Sequence, residues 1–180
     1  MIRVAWASCA PGLAAQRAAA RKLAASVGVA VRAPGVSHAH SGGVVLLVVD
    51  EDGGTVGADV ERLAGRRVLP SVLTQRERAW VGEDVVAFVR CWVAKEAAVK
   101  ALGGGFAGVG GPPAVEVPPP AAHGAPVGLG GAAAGLWARW IAAPDGYIAA
   151  VVSPRCDLIS LSEINSQLGA QSPEPSADCS

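Results

Sequence analysis

The chain has 180 residues, enough for one domain or for two small half-domains sharing a core. Its fifteen basic and fifteen acidic residues cancel, which argues against a wholesale nucleic-acid binder or a polybasic membrane adsorber. With 51% hydrophobic and 17% charged residues the chain can bury a core, and its 23 Gly and 13 Pro make that core small-grained and its connections loop-rich.

The cancellation is uneven. Residues 1–49 carry Arg3, Arg17, Arg21, Lys22 and Arg32 and no acid, the middle holds both signs, and residues 101–180 set Arg139 and Arg155 against an excess of acids. Cys9, Cys91, Cys156 and Cys179 are scattered without a C-x-x-C pair, so neither a zinc site nor a disulfide framework is indicated. The opening segment is interrupted at Pro11 and lacks the long apolar stretch of a signal peptide. The longest bulky apolar run, Val44 to Val49, is too short to span a bilayer. The expectation is a soluble, cytoplasmic protein with neither nucleic acid nor membrane as partner.

Leu13 to Val27 reads as an Ala-rich amphipathic helix with Arg17, Arg21 and Lys22 on its polar side, ended by Gly28. Arg17 and Arg21, four apart, share a face, as they would on any solvated helix. Val29 to Val31 is expected as a short strand before the Pro34-Gly35 turn. His38 and His40 then sit in a Ser/Gly-containing segment ahead of the first buried strand, Val44 to Val49, whose unbroken apolar run suits burial on both faces. Residues 50–54 (DEDGG) form a turn, and Thr55 to Glu61 is expected to return as the second strand of a hairpin.

Thr74 and Glu77 have capping-box spacing, so a short helix should start at Thr74. Val85 to Leu102, free of Gly and Pro until the Gly103-Gly104-Gly105 stop, is the clearest helix. Residues 103–135 are rich in Gly, Pro and Ala, with strand character at Ala114 to Val117. Leu136 to Ala142, the Pro144-Asp145-Gly146 turn and Tyr147 to Val152 make a second hairpin. From Asp157 onward the chain turns polar and reads as a flexible tail.

Two groups of residues carry chemistry. Asp59 and Glu61, two apart on a strand, point to one face roughly 6–7 Å apart. That pair can grip a hard divalent cation through carboxylate oxygens, although an exposed strand end often carries the same pair. On the long helix, Trp92, Lys95, Glu96 and Lys100 place Glu96 and Lys100 one turn apart and Trp92 one turn before Glu96. Taken alone, that is an ordinary helix with one ion pair and an aromatic anchor. His38 or His40, beside Ser and Gly, can donate to a phosphate.

Together the pieces resemble a known pattern. Gly57-Ala58-Asp59-Val60-Glu61 followed by the run W-V-A-K-E-A-A-V-K from Trp92 to Lys100 is similar to the paired G-x-D-x-E and W-x-x-K-E-A-x-x-K motifs of the 4′-phosphopantetheinyl transferase superfamily. Val36-Ser37-His38 resembles the Ser-His motif of its larger, surfactin-type members, with His40-Ser41-Gly42 as the other possible match. Leu73-Thr74 with Glu77, Gly103-x-Gly105-Phe106 and the hairpin from Trp137 to Val152 resemble further family segments, so the likeness covers roughly residues 13–153. The G-K-P segment of the larger members is absent, and Val31-Arg32-Ala33-Pro34 stands in its place in a shortened N-terminal half.

The resemblance implies transfer of phosphopantetheine from coenzyme A to a serine of an apo acyl or peptidyl carrier protein, with release of 3′,5′-ADP. By the same resemblance Asp59, Glu61 and Glu96 would ligate Mg²⁺, with Mn²⁺ able to substitute, and Asp59, Glu96 and Lys100 form the catalytic group, Glu96 acting as the base. Lys95 and Lys100 would bind phosphate oxygens, and His38 with Arg17, Arg21 or Lys22 would take the 3′-phosphate of the coenzyme. The expected fold is α+β: two similar halves related by a pseudo-two-fold axis, each a helix on a small antiparallel sheet, divided as residues 1–62 and 63–155, with 156–180 as tail. The expected state is a monomer. A degenerate relative that binds coenzyme A or a carrier without catalysis is the alternative.

Overall fold

The computed structural model describes residues 1–121, 124–155 and 162–165. The chain runs β1 (Ile2–Ser8), α1 (Leu13–Ser26), β2 (Val36–Ser41), β3 (Val44–Asp50), β4 (Gly57–Arg62), α2 (Gln75–Val81), α3 (Val85–Leu102) and α4 (Gly105–Val109). It continues through β5 (Val115–Glu116), β6 (Val127–Gly128), β7 (Gly130–Gly131), β8 (Trp137–Ile141), β9 (Tyr147–Ser153) and β10 (Ser162–Asn165). This is a small α+β domain with helices packed on sheets that are antiparallel apart from the β10–β1 pair.

Two four-stranded sheets, ordered β10-β1-β3-β2 and β4-β9-β8-β6, stack face to face between two helices. Strand β3 shows why. All seven of its residues are buried, because Val45, Leu47 and Val49 pack under α1 against Leu23 and Ala20, while Val44, Leu46 and Val48 face the second sheet. There they meet Ala58 and Val60 of β4 and Ala149 and Val151 of β9. The opposite face of the second sheet, including Ala150 and Val152, is covered by Val93, Ala94, Ala97 and Ala98 of α3. The layers are therefore α1, first sheet, second sheet, α3, a two-sided core that neither sheet could make alone.

Several expected elements stand as read. α3 spans Val85–Leu102, started by Asp84 accepting from the amides of Val86 and Ala87 and stopped by Gly103 in the left-handed conformation at φ 79°. The Thr74–Glu77 capping box is complete: Thr74 Oγ1 accepts from the Glu77 amide at 3.2 Å and Glu77 Oε2 from the Thr74 amide at 2.7 Å. The hairpin of β8 and β9 is also present.

Others differ. The expected hairpin between Val44–Val49 and Thr55–Glu61 does not form. β3 is flanked on both edges by β1 and β2, so it has no free edge, and β4 pairs instead with β9, with Asp59 opposite Ala150. The strand carrying D-x-E thus belongs to the sheet built mostly from the second half. Val29 to Val31 form no strand; β1 and β2, not foreseen, provide the pairing for β3. The expected tail, 156–180, lies outside the described residues except for 162–165, which form β10 along the edge of β1.

The sheets converge where β2 runs beside β4. Ser37 Oγ accepts from the Ala58 amide at 2.9 Å, and Ser41 Oγ accepts from the Arg62 amide at 3.1 Å. Two serine side chains thus join these neighbouring edge strands.

Candidate active site

The alternation of β4 explains the first motif. Ala58 and Val60 face the core between the sheets, which leaves Gly57, Asp59 and Glu61 on the side covered by α3. A side chain at Gly57 would collide with the backbone carbonyl of Ala97, so glycine there lets the helix close onto the strand. With the helix seated, Lys100 Nζ reaches Asp59 Oδ1 at 2.7 Å and the Ala58 carbonyl at 3.1 Å. Asp59 is buried, and its second oxygen, Oδ2, is buried without a hydrogen-bond partner.

Three carboxylates share this end of the helix–strand contact. Burial raises the Asp59 carboxyl to about 7; Lys100 opposes the shift, and the charges of Glu61 and Glu96 add to it. Glu96 is likewise raised, first by burial and further by Glu61, with Lys100 opposing. Glu61 is turned towards Ser41 Oγ, which donates at 2.8 Å, and forms an ion pair with Arg66. Among the described residues no three carboxylate, imidazole or thiol groups converge closely enough to ligate one ion. An all-oxygen donor set with an unpartnered buried carboxylate oxygen nevertheless fits a hard divalent cation.

Above Lys100 opens a cavity of about 770 Å³ whose walls include Arg32, Val36, His38, His40 and Gly103. It shares Arg32 and His38 with a neighbouring cavity of about 580 Å³ walled by Arg17 and Arg21 from α1. The imidazole of His38 is held below its ordinary value by burial and then by the charges of Lys100, His40 and Arg32. The two cavities are therefore walled by basic groups, and the larger one reaches Lys100, which pairs with Asp59. His38 and His40, two apart on β2, both line it, so both candidate motif histidines face the same space.

Of the expected site residues, Asp59, Glu61, Glu96 and Lys100 lie together, and His38, Arg17 and Arg21 line the adjoining cleft. Lys22 is exposed on α1, outside those walls. Lys95 lies apart from them. Its side chain is 0% exposed; Nζ pairs with Glu77 Oε1 at 2.9 Å and donates to the carbonyls of Pro112, at 2.9 Å, and Val115. Three acceptors account for its three N–H donors, and none is turned to the cleft. Glu77 is equally buried and also accepts from the Val117 amide at 2.7 Å, so the pair ties α2 and α3 to β5.

Trp92 stacks on Phe106 with ring centroids 5.4 Å apart, fastening the glycine turn after α3 to the helix. Beside Trp92 lies a smaller cavity of about 340 Å³ bordered by Glu61, Arg66, Arg67, Phe88 and Glu96. Sequence reasoning missed Arg32, Ser41 and Arg66. The basic residue in the segment replacing G-K-P was a signal for Arg32; Ser41 depends on the β2–β4 approach, which no local pattern announces, and Arg66 on the turn that follows β4.

This face-to-face α+β architecture, with a strand-borne D-x-E set against a helix-borne K-E-A-x-x-K, defines a class that a family model confirms: the 4′-phosphopantetheinyl transferase superfamily description matches residues 55–152. The chain belongs to that superfamily. A search of curated proteins finds no match. The matched segment contains both motifs and leaves α1 and β2, the basic wall of the cleft, to its N-terminal side. Among the described residues, no helix is long and apolar enough to cross a membrane.

Proposed function

We propose that the protein transfers the 4′-phosphopantetheine arm of coenzyme A to a serine hydroxyl of an apo carrier protein, releasing 3′,5′-ADP. The observation that carries this reading is the unpartnered Oδ2 of buried Asp59, near Glu61 and Glu96 and paired through Oδ1 with Lys100, which lines the basic cleft.

Asp59, Glu61 and Glu96 would hold Mg²⁺ or Mn²⁺, which when bound supplies neutralisation of pyrophosphate charge. The remaining work falls to the chain's own groups. His38, Arg17, Arg21 and Arg32 line the cleft where the anionic nucleotide end is received. Lys100, anchored by Asp59 and the Ala58 carbonyl, presents its ammonium to the phosphate oxygens and stabilises the departing bisphosphate. Glu96, its carboxyl raised by burial, takes the proton of the serine hydroxyl as the new oxygen–phosphorus bond forms and the bond to 3′,5′-ADP breaks. The leaving group departs as an anion and needs no proton.

Incubating the purified protein with an apo carrier, coenzyme A and Mg²⁺ should add one phosphopantetheine mass to the carrier, and EDTA should stop the gain. Asp59→Ala should cost roughly 2–4 kcal/mol of transition-state stabilisation, read from kcat/KM. Coenzyme binding without mass gain on several carriers would leave a non-catalytic relative; near-normal turnover of Asp59→Ala would remove Asp59 from the machinery.

A further inference from the structure

The two basic cavities meet at Arg32 and His38, which stand in the walls of both. A ligand that reaches from Lys100 to Arg21 therefore runs past the His38 ring. Arg17, Arg21 and Arg32 have no ion-pair partner among the described residues, and no described carboxylate lines either cavity. His38 is half-buried in β2, opposite Leu47 of β3, and its ring has no hydrogen-bond partner among the described residues. The charges that face it are positive: Lys100 from α3, Arg32 from the connection before β2, and Arg17 and Arg21 from α1 along the smaller cavity. His40 follows two residues on and lines the larger cavity alone. Asp59 of β4 is already paired with Lys100 at 2.7 Å. Burial, then the neighbouring charges, disfavour the imidazolium, so the ring is neutral in the empty cleft at about pH 7.

We propose that His38 is a proton-coupled anion-binding residue, which takes a proton from solvent as a phosphate-bearing ligand enters the cleft and returns it as the ligand leaves. The inference rests on the coenzyme reading of the cleft given above. Its physical basis is a reversal of sign at one ring. In the empty cleft every charge facing the imidazole opposes protonation, whereas a phosphate seated among Arg32, Arg21 and His38 favours it. A protonated ring also donates from both nitrogens, and its bond to a phosphate oxygen becomes charge-assisted. The arginines cannot couple in this way, because a guanidinium keeps its charge throughout the neutral range. His40 lines the larger cavity only, so the junction of the two cavities singles out His38. Proton uptake on binding has one direction: the cleft holds its polyanion more tightly as pH falls from about 8 to about 6.

Histidine ring signals in nuclear magnetic resonance, followed against pH in EDTA with and without 3′,5′-ADP, test this on the full chain without any reference to turnover. The chain has three histidines, and spectra of His38→Gln and His40→Gln assign the two cleft rings. The His38 midpoint should lie below that of an ordinary histidine in the empty protein and rise by roughly one to two pH units with the ligand. That reading is made on the parent alone, so a variant that binds poorly does not spoil it. Affinity should follow. From pH 8 to pH 6 the parent should gain about three- to ten-fold in affinity for 3′,5′-ADP relative to His38→Gln. The variant is the proper reference because it keeps Asp59, whose carboxyl also titrates at about 7. A His38 midpoint that the ligand leaves unchanged or lowers overturns the proposal and leaves the transfer reading standing. An equally steep pH dependence in His38→Gln does the same. A parent that fails to bind 3′,5′-ADP overturns the coenzyme reading and this inference with it.

Discussion

Asp59 is held by one cation and crowded by two anions: Lys100 lies at 2.7 Å, while burial and the charges of Glu61 and Glu96 raise its carboxyl to about 7 from an ordinary value of 3.8. The native state therefore binds this proton more tightly than the unfolded chain does. The stability it contributes is complete below the ordinary value and is lost as pH rises through about 7. Asp59→Asn should accordingly melt at a higher temperature than the parent at pH 8, with the gap closing towards pH 5, while losing transfer activity. Thermal melts across that range check it. A parent whose melting temperature does not fall relative to the variant between pH 5 and pH 8 would show that Asp59 carries no burial cost. Such a residue is the mark of a site that trades stability for function.

At the scale of an element, α3 puts its two motif lysines to opposite uses. Glu96 and Lys100 are one turn apart and share a face, whereas Lys95, five residues before Lys100, points roughly 140° away around the helix. That geometry was present in the sequence as a helix angle. Lys95→Met would leave the Glu77 carboxylate buried without its counter-charge, and should cost about 3–5 kcal/mol in urea unfolding with little change in KM for coenzyme A. A stable variant with a sharply raised KM would return Lys95 to the coenzyme. Where the sequence was legible, it was so for local reasons. The Gly103 stop and a Gly- and Pro-free interior delimit α3, and the Thr74–Glu77 box starts α2. β2 was not legible because its residues, Val36-Ser-His-Ala-His-Ser41, lack a strand's apolar pattern; it is a strand because β3 and the amides of β4 hold it there.

For the whole molecule, what matters is the seam between the sheets. Ser37 holds the amide of Ala58, the residue next to Asp59, and Ser41 contacts both the Arg62 amide and Glu61. The seam and the acidic trio are thus one construction. Ser37→Ala would strand a buried amide and should lower stability by roughly 1–3 kcal/mol. Weaker coenzyme binding should accompany it, because His38 lines the cleft from the same strand. An unchanged urea midpoint would show that β2 and β4 are held together by packing alone. The partner of β4 could not be read locally. Adjacent strands joined by a DEDGG turn ordinarily make a hairpin, and only the occupancy of both β3 edges forbids it here.

The pairing of β4 with β9 also has a consequence in time. A ribosome delivers β1, α1, β2 and β3 as a set able to collapse early, then delivers β4, whose pairing edge has to wait for nearly all of the matched family segment to emerge. Throughout that wait Asp59 and Glu61 are carried on a strand without its ladder, and the open edge is available to other nascent chains. Assembly of the acidic site therefore waits for β9, and a chain arrested before Tyr147 would own Asp59, Glu61, Glu96 and Lys100 without the strand that β4 pairs with.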